Sequence, residues 1–209
     1  MSTPDEPTTA APTREVELKA VVEDMRAARR AIEAKGARLV FSGRLEDRRY
    51  DTHDRALVAK DLVLRLRTYR TDKSVSAHID WKGPTQFEGG FKVREELTSG
   101  ITDPDALAAM LDRLGYKVVR EIDRDIAQYG LADTMIRFER YPRMDTLVEV
   151  EGSPEGIESA IEALGIDRAS FTTDRLIDFV RAYESRTGVR AALCNRELSG
   201  DYRYSVTKA

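Results

Sequence analysis

Glu15, Glu17 and Lys19 alternate with Val16 and Leu18 near the start of the chain, and Glu149 and Glu151 alternate with Val148 and Val150 near its end. In an extended strand, side chains two apart share a face, so each carboxylate pair points one way and its apolar neighbours the other. Between these pairs the shared strand faces carry mostly bases: Arg65 with Arg67, His78 with Asp80 and Lys82, Lys92 with Arg94 and Glu96, Arg120 with Arg124, and Arg137 with Glu139. Alternation of this kind also occurs in a half-solvated antiparallel sheet, whose charged face meets water. The order of the signs points elsewhere. A sheet that closes on itself brings its first and last strands together, grouping Glu15, Glu17, Glu149 and Glu151 opposite a wall of Lys and Arg. Like charges at that density repel by ~1 kcal/mol or more per close pair and need a counter-ion. Hard oxygen ligands suit Mg²⁺ or Mn²⁺, which keep open positions for phosphate, while Lys and Arg complement phosphate oxygens. The joint chemistry is that of a metal and polyphosphate site.

The elements that must hold these residues follow from periodicity. Strand-like runs lie at 14–20, 39–50, 62–69, 74–82, 91–98, 116–129, 134–139 and 146–151, roughly eight in all. Helical spacing runs over 22–35 with Gly36 after it, and Asp103-Pro104 and Ser153-Pro154 open helices that Gly115 and Gly165 close. A last amphipathic helix is expected over 173–186, with Leu176, Ile177, Phe179, Val180 and Tyr183 on its apolar stripe and Gly188 as its stop. The expected class is α+β, a closed eight-stranded antiparallel β-barrel with helices packed on the outside. Residues 1–13 read as a disordered lead, 14–188 as the barrel domain, and 189–209 as a polar tail. No internal repeat or linker is evident.

Composition narrows the function. The chain has 209 residues, with 34 Lys plus Arg against 37 Asp plus Glu and a net charge of −3, which argues against a broadly basic surface for duplex nucleic acid or membrane. Cys194 is the single cysteine and there are 2 His, so a disulfide framework and a Cys- or His-based zinc site are excluded. No apolar run of about 20 residues is present, and a cytoplasmic location is expected.

The motifs together resemble the CYTH superfamily, the triphosphate tunnel metalloenzymes. Glu15-Val16-Glu17-Leu18-Lys19 resembles its ExExK signature and Leu64-Arg65-Leu66-Arg67 its RxR strand. Trp81-Lys82-Gly83-Pro84 resembles its KGP strand end, Arg94-Glu95-Glu96 its RxE strand, Leu114-Gly115-Tyr116 the helix end before its next basic strand, and Glu149-Val150-Glu151 its terminal ExE. The resemblance covers about 14–188 and implies an eight-stranded tunnel that binds a triphosphate with a divalent metal, Mg²⁺ or Mn²⁺. By position it implies Glu15, Glu17, Glu139, Glu149 and Glu151 as metal ligands, and Lys19, Arg65, Arg67, Lys82, Arg94, Arg120 and Arg124 as phosphate contacts. Two departures stand out. Arg124 is flanked at strand spacing by Ile122 and Ile126, leaving Arg120 as the substitute for a second basic residue. Within Asp47-Arg48-Arg49-Tyr50-Asp51, Arg49 occupies the place of the tyrosine that assists hydrolysis in thiamine triphosphatases, which argues against thiamine specificity.

The leading expectation is hydrolysis of an inorganic or organic triphosphate such as tripolyphosphate or ATP, with Lys19, Arg65 and Lys82 as catalytic cations that stabilise developing negative charge. The alternatives are a class IV adenylate cyclase making cAMP and pyrophosphate, or a non-catalytic polyphosphate or nucleotide binder. Retention of the carboxylates argues against the last, because a pure anion binder gains nothing from burying acids beside its ligand. A homodimer is left open. Other reactive-looking residues read as structural: His53 in a polar turn, His78 as a weak or structural ligand, Cys194 in the tail, Trp81 as outward core, Arg26, Arg29 and Arg30 as a solvated helix face, and Asp123 and Asp125 as solvent-facing.

Overall fold

The computed structural model describes residues 13–201. Its sheet is antiparallel throughout, and the strands are β1 (Thr13–Val21), β2 (Arg38–Asp51), β3 (Val63–Arg70), β4 (Val75–Lys82), β5 (Gln86–Glu88), β6 (Phe91–Ile101), β7 (Lys117–Leu131), β8 (Thr134–Arg140) and β9 (Leu147–Glu151). The order β1-β9-β8-β7-β2-β3-β4-β6 closes because β1 pairs with β9 on one edge and with β6 on the other. Closure removes the unpaired edges an open sheet would leave. The fold is thus α+β, a closed eight-stranded barrel. The ninth strand, short β5, forms a hairpin on β6 through Gly89 and Gly90, both at positive φ (57° and 84°).

The barrel is inverted in polarity. Apolar side chains point outward and are covered by helices α1 (Met25–Ala34), α2 (Pro104–Arg113), α3 (Pro154–Leu164) and α4 (Leu176–Thr187), with short α5 (Asn195–Leu198) following. On one side Leu18, Ala20, Ile136, Phe138, Val148 and Val150 pack with Ala28 and Ile32 of α1 and Ile157, Ala160, Ile161 and Leu164 of α3. On another, Leu64, Leu66 and Ile79 meet Leu107, Ala108 and Leu111 of α2. Tyr141 and Leu147, on the parity of the inward acids, join Ile122 against Ile177, Phe179 and Val180, so α4 lies across one end of the tunnel.

Capping sets the helix starts. Asp24 accepts from the Ala27 N–H, so α1 begins at Met25 rather than Val22, whose N–H instead donates to the Thr146 carbonyl. α4 begins at Leu176 rather than Thr173, because Thr172 is held in a bridge to Lys19. Thr13, assigned by composition to the lead, is the first residue of β1; the rest of that lead lies outside the described residues.

The segment after α4 is not simply a polar tail. Ala191, Ala192, Leu193 and Cys194 are buried, Ala192 bridges to Arg143, and Leu193 packs with α4. The charges around this run obscured an apolar stretch that covers the barrel end. Asp123, expected in solvent, is also buried, with its carboxylate accepting from Arg48 at 2.6 Å; Asp125 is exposed as expected. Among the described residues no helix is long and apolar enough to cross a membrane.

Candidate active site

Inside the barrel, Lys19, Arg65, Arg67, Lys82, Arg94, Arg120 and Arg124 line one cavity of about 230 Å³, together with Glu15, Glu17, Glu139 and Glu149. Glu151 does not line it. The strands deliver these side chains by parity, and their register decides which meet.

At the β1–β9 seam Lys19 stands opposite Glu149, and its ammonium lies 2.7 Å from both Glu17 and Glu149. Burial works against that charge, but Glu149 and Glu17 outweigh it and hold the Lys19 pKa above the ordinary ammonium value. Glu149 also accepts from Arg137 at 2.8 Å, and Glu17 from Lys92. Lys82 reaches both oxygens of Glu15, at 2.5 and 2.6 Å, and lies 3.3 Å from Glu96. Burial would raise Glu15, yet Lys82 keeps its carboxyl below the usual range.

On the opposite wall Asp47 is the organising acid. Its two oxygens accept from Arg67 at 2.9 and 3.3 Å, and one also accepts from Arg124 at 3.0 Å. Burial opposes ionisation, but Arg67, Arg124 and Arg65 hold Asp47 well below the usual carboxylate range. Asp80 similarly accepts a fork from Arg65, at 3.0 and 2.7 Å. Such two-pronged pairs fix a guanidinium in both position and plane. Arg124 also donates to Glu139 at 2.8 Å, and the second oxygen of Glu139 accepts from the Tyr141 hydroxyl at 2.6 Å. Arg94 donates to the carbonyls of Gly83 and Asp61, at 2.7 and 2.6 Å. The result is a ring of cations from β1, β3, β4, β6, β7 and β8, held by acids and carbonyls around one cavity.

A model of the CYTH domain matches residues 13–163. The chain belongs to the CYTH family. Structures similar to this CYTH barrel include a proposed adenylate cyclase from Vibrio parahaemolyticus, at TM-score 0.69 and 18% identity over 80% of this chain and 97% of that one. The PH1819 protein of Pyrococcus horikoshii aligns at TM-score 0.67 and 23% identity, covering 80% of this chain and 98% of that one. A proposed adenylyl cyclase from Hippeastrum, described as having a dominant triphosphatase activity, aligns at TM-score 0.59 and 15% identity, covering 80% and 95%. No functionally curated protein matches this sequence.

The CYTH tunnel also contains charged residues that motif reading passed over. Asp47, Asp80, Lys92 and Arg137 each hold a charged member of the ring. Parity places all of them on the inner face, and that signal was available; which cation each one holds was not. His78 instead stacks edge-on with Tyr69, ring centres 5.8 Å apart, and neither it nor His53 lines the cavity. Cys194 is buried, which pushes its thiol pKa up. Arg29 is half-buried rather than solvated, donating to the Tyr129 hydroxyl at 2.6 Å.

The carboxylates fit a hard divalent cation by donor chemistry, since every oxygen on offer is anionic. Glu151 has no cation within ion-pairing distance among the described residues, and burial followed by the charges of Glu15 and Glu149 pushes it up to about 7. Glu151 is therefore the acid of this group without a paired cation, whereas Lys82 holds Glu15 and Lys19 and Arg137 hold Glu149. Elsewhere the acids are occupied: among the described residues no three of them already converge as a ready cage, because Lys19, Lys82, Lys92 and Arg124 hold their oxygens.

Proposed function

We propose that this CYTH protein is a divalent-metal-dependent triphosphatase acting on a small molecule that carries a triphosphate. One observation carries the reading: buried guanidinium and ammonium groups from six strands surround a single cavity and are aimed by acids behind them. Placing so many cations out of water is costly unless an anion completes the set. Arg65, Arg67, Lys82, Arg94 and Arg124 would bind the phosphate oxygens, and Lys19, between Glu17 and Glu149, would sit where the phosphates meet the acids. Because Asp47 and Asp80 already orient the guanidinium forks, little reorganisation is needed as negative charge develops on the transferred phosphoryl group.

Glu15, Glu17, Glu149 and Glu151, with Glu139 if Arg124 and Tyr141 release it, would hold Mg²⁺ or Mn²⁺, which when bound supplies charge neutralisation and a more acidic water. The cations on the opposite wall keep the chain of phosphates in line and exclude bulk water from it. The Hippeastrum protein's described activity favours hydrolysis over cyclisation.

Product analysis tests this. Incubation with tripolyphosphate and, separately, ATP in Mg²⁺ or Mn²⁺ is expected to release orthophosphate, and chelation of the metal is expected to abolish it. cAMP and pyrophosphate from ATP would instead identify an adenylate cyclase, and tight binding with no product would identify a binding module.

A further inference from the structure

Among the described residues, Arg49 and Arg120 are tunnel guanidiniums with no ion pair and no side-chain hydrogen bond, and the Nε of Arg49 is enclosed yet unbonded. Arg49 stands on β2 two residues beyond Asp47, about 7 Å along the strand, and therefore on the same inner face. Its neighbour across the seam is Arg120, so two cations face each other, whereas Lys19 faces an acid, Glu149, across the β1–β9 seam. The β2–β7 register shifts immediately after this pair, between Arg49 and Tyr50, an irregularity of the kind that re-aims side chains beside binding sites. Arg55 joins them from the following loop. That residue holds a left-handed backbone, φ 62°, in a turn tied down by Asp51, whose carboxylate accepts from the N–H groups of Thr52, Leu57 and Val58.

All three arginines line the tunnel cavity, at the end crossed by α4. The acids nearby are committed elsewhere. Asp47 holds Arg67 and Arg124, and Glu197, the acid that acts on Arg120, accepts from the Leu193 N–H at 2.6 Å. Burial and then the charges of Arg120 and Arg65 push the Arg49 pKa down to about 9, which reflects the same missing counter-charge.

We infer that Arg49, Arg55 and Arg120 form a second anion subsite, which takes a phosphate additional to the three held by the main ring. The inference rests on the triphosphate reading of the tunnel and deepens it: the substrate class becomes a triphosphate that carries a further phosphate. That group could extend the chain or sit on the organic moiety, and the chemistry of recognition is the same.

Isothermal titration with divalent cations chelated, so that turnover is silent, separates the cases. The probes are tripolyphosphate against tetrapolyphosphate, and ATP against adenosine 3′-phosphate 5′-triphosphate. Wild type is expected to bind one extended probe about tenfold tighter than its shorter counterpart, the scale of one or two charged hydrogen bonds. Whichever pair shows the preference identifies where the extra phosphate lies. Arg49→Gln is expected to bring that ratio close to unity while changing tripolyphosphate affinity less than about threefold. Arg55→Gln, an exposed loop change that leaves the barrel intact, is expected to reduce the ratio in the same direction. Equal affinities within both pairs, or a preference that survives both substitutions, would overturn the subsite and leave the triphosphate reading standing. Failure of all four probes to bind would overturn the subsite, while the triphosphate reading is decided by the product analysis in Mg²⁺ or Mn²⁺.

Discussion

Along the β1–β9 seam Lys19 faces Glu149 and every cation nearby has an acid within 3 Å, whereas along the β2–β7 seam Arg49 faces Arg120 with no acid to spare. The two seams belong to one barrel and use the same residue types. The cations of the first are neutralised before any ligand arrives, although Glu151 opposite Glu17 is not paired, so breaking a cation–acid pair there should weaken the fold and the chemistry together. The second is unbalanced until an anion arrives, so removing a cation there should leave the empty protein no worse off. The difference separates charges that hold the tunnel open from charges that wait for something.

The largest effect should come from Glu149→Ala. It strands Arg137 in the interior and leaves Lys19 with Glu17 alone, and loss of one partner of a buried pair costs about 3–5 kcal/mol; turnover should fall to background. Thermal unfolding and phosphate release measure the two, and near-normal activity in this variant would remove the distinction between the seams. Glu17→Ala should likewise abolish metal-dependent turnover.

Asp47→Asn tests the acid behind the cation ring. Because the folded pKa of Asp47 is depressed, its contribution to stability is complete above the unfolded value of ~3.9 and is lost as pH falls through the folded one. Wild type should therefore lose stability below about pH 4 by more than Asp47→Asn does, and that variant should be less stable at pH 7 by about 3 kcal/mol. Parallel acid-denaturation curves would contradict the assigned role.

Arg67→Ala should reduce kcat/KM for tripolyphosphate by ~1.5–3 kcal/mol, about 10- to 150-fold, through loss of charged hydrogen bonds. The smallest effect, and the most discriminating in sign, is expected for Arg49→Gln in the ligand-free protein: an unchanged melting temperature or a rise equivalent to about 1 kcal/mol, because a like-charge contact is relieved. A clear loss of stability would show that Arg49 has a structural partner and that the two seams are alike.

Much of this tunnel was legible in the chain. Alternation located the charged face of each strand, Asp103-Pro104 and Ser153-Pro154 marked two helix starts within a residue, and the order of signs implied that β1 and β9 meet. Less was legible where a residue's neighbours in sequence mislead. Asp123 alternates away from Arg124 and so read as solvated, yet it is buried, with its carboxylate on Arg48 and its backbone N–H donating to the Leu193 carbonyl. Ala191 to Cys194 read as tail because charged residues flank it, although its burial depends on α4 and on Arg143, both distant in sequence.

The sequence by itself determined which face of the sheet each charge occupies, since side-chain direction is a property of successive residues along an extended backbone. Tertiary structure alone decided the partners. Pairing register across the closed barrel puts Lys19 beside Glu149 and Arg49 beside Arg120, and register is set by contacts between residues far apart in the chain. A step of one residue in that register would turn every inward charge outward, which is why the same alternation could not say which cation would be neutralised and which would be left waiting.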